Sequence, residues 1–580
     1  MEDRWITDWP PSERWPHYTR SNAGEVLPTP ASPLGQQAVW DRAIVPGWRD
    51  GYVRQGTYSI EEWDSELPEA CGFFGGFMYI NLSNVRMQGV RNPAVTVEQL
   101  DLAFFGDHPD VPPYCPHPDD ERPDLIPKIG EHLGWVMSTT EWPELERERT
   151  ETIALRAKRP DLAASTDEEL LTRVRVAQGR LRKLFESHCV ASSSSGIAPG
   201  ILGAIGEAIG DSTIAMKLLA GIGDVDSAES SFEMWELSRR VAASHTLTNH
   251  FDQGVAGLLG RLRADDHADV QAFVAAFEEF LVLHGSRGPN EWEISAETWE
   301  TDPEIALAAI DRVRLQADEE SPAHRNAARA AEREALTAEV REKVAALGEE
   351  LSGQFEAALV AGHQMAFRER TKTNIIRAIH EIRMAIRELG RRHAESGRIA
   401  EAAHVFMLLD DEVEPFVADP VSFRDTLAGR YAEWSELWEL EPPYFIEDGN
   451  VPPLGEWARK GGGRVEQIGA GDSLHGVGGC PGKVTGTARV ILDATEPGAL
   501  EPGDILVAPL TDPAWAPLFM PAGGVVVDVG GQISHAIIVS RELGVPCVVS
   551  ANGATKKIPD GATIEVDGDA GTVTVLEVPA

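Results

Sequence analysis

Residues 524–549, GVVVDVGGQISHAIIVSRELGVPCVV, constrain the fold more than any other stretch. A valine run, a glycine pair, a short amphipathic segment and a second apolar run follow one another, the order strand, turn, helix, strand. That order puts His535 at or beside the N-terminus of the helix. The first helical amides lack intrahelical partners, the helix dipole is positive there, and Gly530 and Gly531 allow close approach of an anion. A phosphoryl group on His535 would be stabilised at such a place, and Ser534 is positioned to cap the helix and donate a hydrogen bond to it. A polar residue that merely starts a helix satisfies the same local pattern, so the surroundings must decide.

Short Val/Ile-rich runs separated by turn residues flank this unit: TGTARVIL, DILVAPL, ATIEVDG and TVTVLE all read as strands. Before them, ARKGGGRVEQIGAGDSLHG is a glycine-rich linker. The division that follows is a mostly helical region over 1–458, a hinge over 459–475 and a β-rich unit over 476–580, a multidomain α + β chain. Within the first part, apolar residues recur at helical spacing over 146–190 and 205–283, as in ADVQAFVAAFEEFLVLHG, where Val270, Phe273, Phe277 and Phe280 share a face. Residues 305–398 form the longest helical tract, broken near DEESPAH. ASSSSGIAPG reads as a flexible loop. The first 145 or so residues, rich in Trp, Pro and Gly, read as irregular structure packed on that helical body, and CGFFGGFMYINLSNV suits a buried strand or helix.

With 93 Asp+Glu against 52 Lys+Arg, the formal charge is -41, which repels nucleic acid and anionic membrane surfaces. A phosphate-bearing ligand must therefore be met by local cations. Five cysteines without CxxC spacing argue for reduced thiols, and neither a leader nor a charge-free run of spanning length is evident, so the expected compartment is the cytoplasm.

GGQISHAIIVSRELGVPCVV, preceded by GVGGCPGKVTGTARVI and LTDPAWAPLF, resembles the swivelling phosphohistidine domain of the PEP-utilising enzymes, which include pyruvate phosphate dikinase, PEP synthase and rifampicin phosphotransferase. The resemblance covers about residues 476–577 and implies a β/β/α domain whose histidine, His535 here, is phosphorylated and swings between a nucleotide site and an acceptor site. Cys480 and Cys547 depart from the serine and alanine frequent in relatives, and Cys547 reads as a buried small residue.

The upstream region is similar, piece by piece, to the acceptor-binding part of rifampicin phosphotransferase and to the central subunit of phenylphosphate synthase. The pieces are YTRSNAGEVLPTPASPL, GIGDVDSAESSFEMWELSR, HGSRGPNEWEISAETW and FRERTKTNIIRAIHEIRMAIRELGRR. Transfer of a phosphoryl group to a hydroxyl needs cations for the equatorial oxygens and a proton acceptor for the attacking oxygen. Arg368 and Lys372, at i and i+4 of a helix beginning near Arg368, suit that need and, with Glu369, resemble the Arg-Glu-x-x-Lys set of the family. Arg287, between two flanking glycines, is a further candidate for phosphate contact. Asn22, His284 and Glu291 are candidates for substrate binding, although Ser286 replaces a histidine that relatives carry.

HEIRM is an incomplete HExxH, so His380 and Glu381 read as surface residues, and no metal site is expected. GVGGCPG lacks the strand-to-helix context of a dinucleotide loop. Neither an ATP-grasp region nor a C-terminal PEP barrel is recognisable. The resemblance therefore implies an acceptor-binding and phosphocarrier subunit served by a separate ATP-grasp subunit that holds ATP and Mg2+, with AMP and phosphate released. An alcohol or phenol of aromatic or apolar character is the expected acceptor, given the Trp- and Phe-rich N-terminal region. A non-catalytic protein that uses phosphohistidine as a signal is the alternative.

Overall fold

A 33-residue helix, His363–Glu395, is the axis of the body. Ile375, Ile379, Ile382, Ile386 and Leu389 recur along it at helical spacing, and the helix is buried nearly all round. The computed structural model describes residues 3–579 apart from 94, 106–109, 212, 221, 223–225, 319–320, 461–466, 495–499, 512–514 and 532–533. The helix begins five residues before Arg368, directly after Gly362, so Arg368 lies in its second turn and not at its start. Its main neighbour is the helix Asp167–Ser194. Near its C-terminal end the Ala402 carbonyl comes so close that a Cβ on Gly390 would stand 2.3 Å from it.

Burial all round forces this helix to carry its polar side chains inward. Glu381 is 1% exposed and binds Arg159 at 2.6 Å and also Arg173. His380, 2% exposed, meets Glu300 at 2.8 Å and Arg383 at 3.1 Å. Both residues are therefore interior, contrary to the surface placement read from HEIRM. Periodicity reports which face of a helix is apolar, but not that packed neighbours cover the polar face as well.

ASSSSGIAPG is likewise helical rather than looped: one helix runs to Ser194 and the next spans Ile197–Ile209. Ser193 and Ser194 donate to the carbonyls of Cys189 and Val190, at 2.8 and 2.7 Å, so the hydroxyls are satisfied within the helix itself. Asp167–Ile209 has, by length and composition, the character of a membrane span, at mean hydropathy 1.3, where the sequence reading saw no such run. Half of that window is buried inside the fold, with Val190, Ala191, Ala198 and Leu202 in apolar clusters of the body.

The N-terminal region is more regular than its composition suggests. Gln36–Ile44 is π-helical and continues into the helix Val45–Gln55. Six short strands follow in chain order: β1 (Tyr18–Thr19), β2 (Cys71–Phe74), β3 (Phe77–Asn81), β4 (Leu440–Glu441), β5 (Phe445–Ile446) and β6 (Ala458–Arg459). Four of them make a sheet in the order β2-β3-β1-β5, so CGFFGGFMYIN is a hairpin, and β4 pairs with β6. Trp5, Trp9, Trp40, Phe73 and Phe74 are packed in the core, the usual fate of such rings.

The C-terminal unit is one eight-stranded sheet. It contains β7 (Ser473–His475), β8 (Val477–Cys480), β9 (Lys483–Val490), β10 (Ile505–Ala508), β11 (Gly524–Val527), β12 (Cys547–Val549), β13 (Thr563–Asp567) and β14 (Thr572–Glu577), in the order β7-β14-β13-β9-β10-β11-β12-β8. Strands β9 to β12 are parallel and the outer ones antiparallel. Val526 and Val548 face Ile564 and Val573, while Val525, Val527 and Val549 face Ile537 and Val539, the period of two expected of a sheet covered on both sides. Two details differ from the sequence reading. GVGGC is the strand β8, and Ser473–His475, assigned above to the hinge, pairs with β14. Of that hinge, 461–466 lie outside the described residues, and Ile468 already bonds to the Lys557 carbonyl at 2.9 Å.

The two units are docked. Trp235, Phe280, Trp299 and Ile310 of the body share an apolar cluster with Leu518, Phe519 and Ile537. Gln316 donates to the Met520 carbonyl at 2.7 Å, and Asn326 donates to Glu542 at 2.9 Å.

Candidate active site at the docked histidine

His535 is the first residue of the helix His535–Leu543, the segment HAIIVSREL, with Ser534 as its extended N-cap. The Ser534 hydroxyl does not close the cap, contrary to the role expected of it; Oγ is buried without a hydrogen-bond partner. A Cβ on Gly530 would stand 3.0 Å from that Oγ and 3.2 Å from Val549 Cβ, so glycine leaves the room this turn needs. Gly531 adds the Ser534 N–H to its own carbonyl at 2.9 Å.

The imidazole is 5% exposed. Its Nδ1 is 3.1 Å from Thr511 Oγ1, Phe519 meets the ring edge to face at 6.0 Å, and Nε2 is buried without a partner. If Nδ1–H donates to Thr511, the Nε2 lone pair is the free nucleophile. Burial, followed by the charges of Lys372, Arg287 and Arg368, holds His535 well below the usual histidine range. The ring is therefore neutral and able to attack phosphorus at neutral pH.

Those three cations belong to the body, and they are the ones expected from sequence. Arg368 donates to Glu369 Oε1 at 3.2 Å, and Glu369 is buried. Arg287 bonds Glu291 at 3.1 Å and Thr373 Oγ1 at 2.6 Å, and Thr373 in turn donates to the Glu369 carbonyl at 3.0 Å. Glu291 thus holds Arg287 in place. His284 is buried against Glu233 at 3.2 Å, and Asn22 takes a left-handed conformation, φ 56°, before the short helix Ala23–Val26.

Two residues that sequence reasoning passed over complete the site. His188 Nδ1 lies 3.0 Å from Thr371 Oγ1, and burial with the charges of Arg368 and Lys372 pushes it down to about 3. Glu25, on the short helix Ala23–Val26, is close enough to Arg368, Lys372 and the His535 amide for each to favour its charged form. Burial pushes Glu25 up to about 7 against those three opposing effects. The available signal was the segment SNAGEVLPTP, which the family resemblance already picked out.

Comparison with known proteins agrees with this geometry. Residues 500–571 match the mobile domain of PEP-utilising enzymes, and residues 188–369 match the fourth domain of rifampicin phosphotransferase. The similarity to rifampicin phosphotransferase and to the PEP-utilising enzymes thus spans both units of the chain. An uncharacterized protein of Mycobacterium tuberculosis is 34% identical over 298 residues, 51% of this chain and 31% of that protein. Rifampicin phosphotransferase of Streptomyces sviceus is 31% identical over 337 residues, 56% of this chain and 37% of that one. The prodigiosin synthesizing transferase PigC of Serratia marcescens is 28% identical over 371 residues, 62% and 40% of the two chains. The chain thus spans less than half the length of these relatives. Cys480 and Cys547 are buried register partners across β8 and β12, and all five cysteines are free.

Proposed function

We propose that this chain is the acceptor-binding and phosphocarrier part of an ATP-dependent phosphotransferase. The observation that carries the reading is the unpartnered Nε2 of His535, turned neutral and docked among Lys372, Arg287 and Arg368. A carrier histidine needs a free nitrogen to take the phosphoryl group, and transfer needs cations that meet it at the acceptor station. Relatives named as phosphotransferases support the reaction class.

Phosphorylation takes place at a different station. Among the described residues the body has two small sheets, of four and two strands each two to five residues long, too little for an ATP-grasp fold. An ATP-grasp subunit with ATP and Mg2+ is the donor in this scheme, passing the β-phosphoryl to His535 and releasing AMP and phosphate. The C-terminal domain then docks as seen here and delivers the group to an alcohol or phenol of aromatic or apolar character, in a heteromeric, cytoplasmic enzyme.

The test is incubation of the chain with β-labelled ATP and a soluble extract of the source organism. Acid-labile, alkali-stable label on the wild-type chain and none on His535→Ala is the expected result. Equal labelling of both chains, or none on either, overturns the carrier reading.

A further inference from the structure

Glu369, Thr373, Arg377 and Glu381, each four residues from the next, form one row along the long helix. Three of them have partners: Glu369 accepts from Arg368 at 3.2 Å, Thr373 from Arg287 at 2.6 Å and Glu381 from Arg159 at 2.6 Å. Arg377 is the exception. It is 6% exposed, its Nη1 is buried without a hydrogen bond, and it makes no ion pair with any described residue. We propose that Arg377 holds a small monovalent inorganic anion, of the size of chloride, in the cavity it lines; the proposal is independent of the carrier reading.

That cavity lies where the long helix meets the helix Pro143–Ala157 and the turn after the helix Ala268–His284. Arg156, Ser286, Glu300, Arg377, His380 and Glu381 supply its polar lining, and its volume of about 10 Å³, counted as space for the centre of a water-sized particle, admits one such occupant. The lining is richer in donors than in acceptors. Arg156 Nε is buried without a partner while its Nη2 lies 2.9 Å from Glu300, and Ser286, 8% exposed, adds a hydroxyl. The carboxylates are already taken. Glu300 meets Arg156, Arg159 at 2.6 Å and His380 at 2.8 Å, and Glu381 meets Arg159 and Arg173. Arg156, Arg159 and Arg173 thus share two carboxylates, and no negative charge on this side is left over for Arg377.

The acids on the other side are engaged as well. Asp226 binds Arg370 at 3.1 Å and stands 3.7 Å from Arg149, which binds Glu229 at 3.1 Å. Burial outweighs the help these acids give and lowers Arg377 to about 10, with Arg287 and Arg149 adding to the effect. The guanidinium is still protonated at neutral pH and cannot escape its position by shedding charge. A charge taken out of water is stabilised when it is paired and hydrogen-bonded. An anion between Arg377, Arg156 and Ser286 supplies both, and the size of the cavity selects a halide over a tetrahedral oxyanion.

Such an anion ties the long helix to its two neighbours, so its binding is read as stability. Thermal unfolding of the full chain is followed at pH 7 and constant ionic strength as sodium chloride replaces sodium gluconate, whose anion is too large for the cavity. The wild-type Tm should rise saturably, by about 2 °C or more. Arg377→Met, which puts an apolar chain in the same place, should lose the rise. Arg391→Gln, at an exposed arginine of the same helix, should keep it. Wild-type crystals soaked in bromide should give an anomalous peak within hydrogen-bond distance of Arg377, a measurement that stands even if Arg377→Met does not fold. A wild-type Tm indifferent to chloride, a rise that survives in Arg377→Met, a rise with phosphate but not with chloride, or no bromide peak at Arg377 each overturns the proposal.

Discussion

The body and the C-terminal domain place their charges in opposite ways. The body buries them: Arg159, Arg173, Glu300, Glu381, His380 and Arg383 form one interior network along the long helix. Among the described residues, those of the C-terminal domain that touch its histidine carry no charge: Thr511, Phe519 and the unpartnered Ser534 beside it. The difference suits a carrier. A histidine that brought its own cations would hold the phosphoryl group, whereas one that meets them only on docking gives it up there.

The largest break in that contrast is His535→Ala, which should abolish covalent labelling from β-labelled ATP altogether. Lys372→Ala should leave labelling intact and slow discharge of the phosphoprotein by roughly 10²-fold, since it removes a cation from the transition state; loss of labelling instead would place Lys372 in carrier formation.

Stability separates the two regions further. Glu381→Ala strands Arg159 and Arg173 in the interior and should cost about 3–5 kcal/mol, read by denaturant unfolding. Ile564→Val in the apolar sheet core should cost only about 1 kcal/mol.

The smallest effects are opposite responses to pH. Burial pushes Glu300 up, but His380 and Arg159 outweigh it and hold the carboxyl at about 2. Its contribution is present above its unfolded value of 4.5 and is lost as pH falls from there through about 2. Asp528 is pushed up by burial to about 6 despite hydrogen bonds from Thr555. The folded state therefore takes up its proton first, and stability gained from Asp528 grows as pH falls from 6 towards 3.8. Thermal unfolding at pH 8 should show Asp528→Asn more stable than wild type, with the advantage gone by pH 4; a constant difference would contradict the assignment.

Sequence alone was enough for the features that local pattern controls. The strands around Val525, Ile505 and Ile564 and the helix from His535 to Leu543 follow from period-two runs, glycine turns and a polar helix start. Arg368 and Lys372 on one face follow from spacing of four. What local pattern does not carry is what covers a polar face. The burial of His380 and Glu381 and the strand at Ser473–His475 each depend on neighbours more than 70 residues away in the chain. Glu25 is the sharpest case: no local pattern links an acid 510 positions before His535 to that histidine, and only the fold brings it within the field of the same cations, Arg368 and Lys372. A chain's own spacing decides which groups lie on one element, and only long-range packing, by excluding water and setting the distances between charges, decides which of them act together.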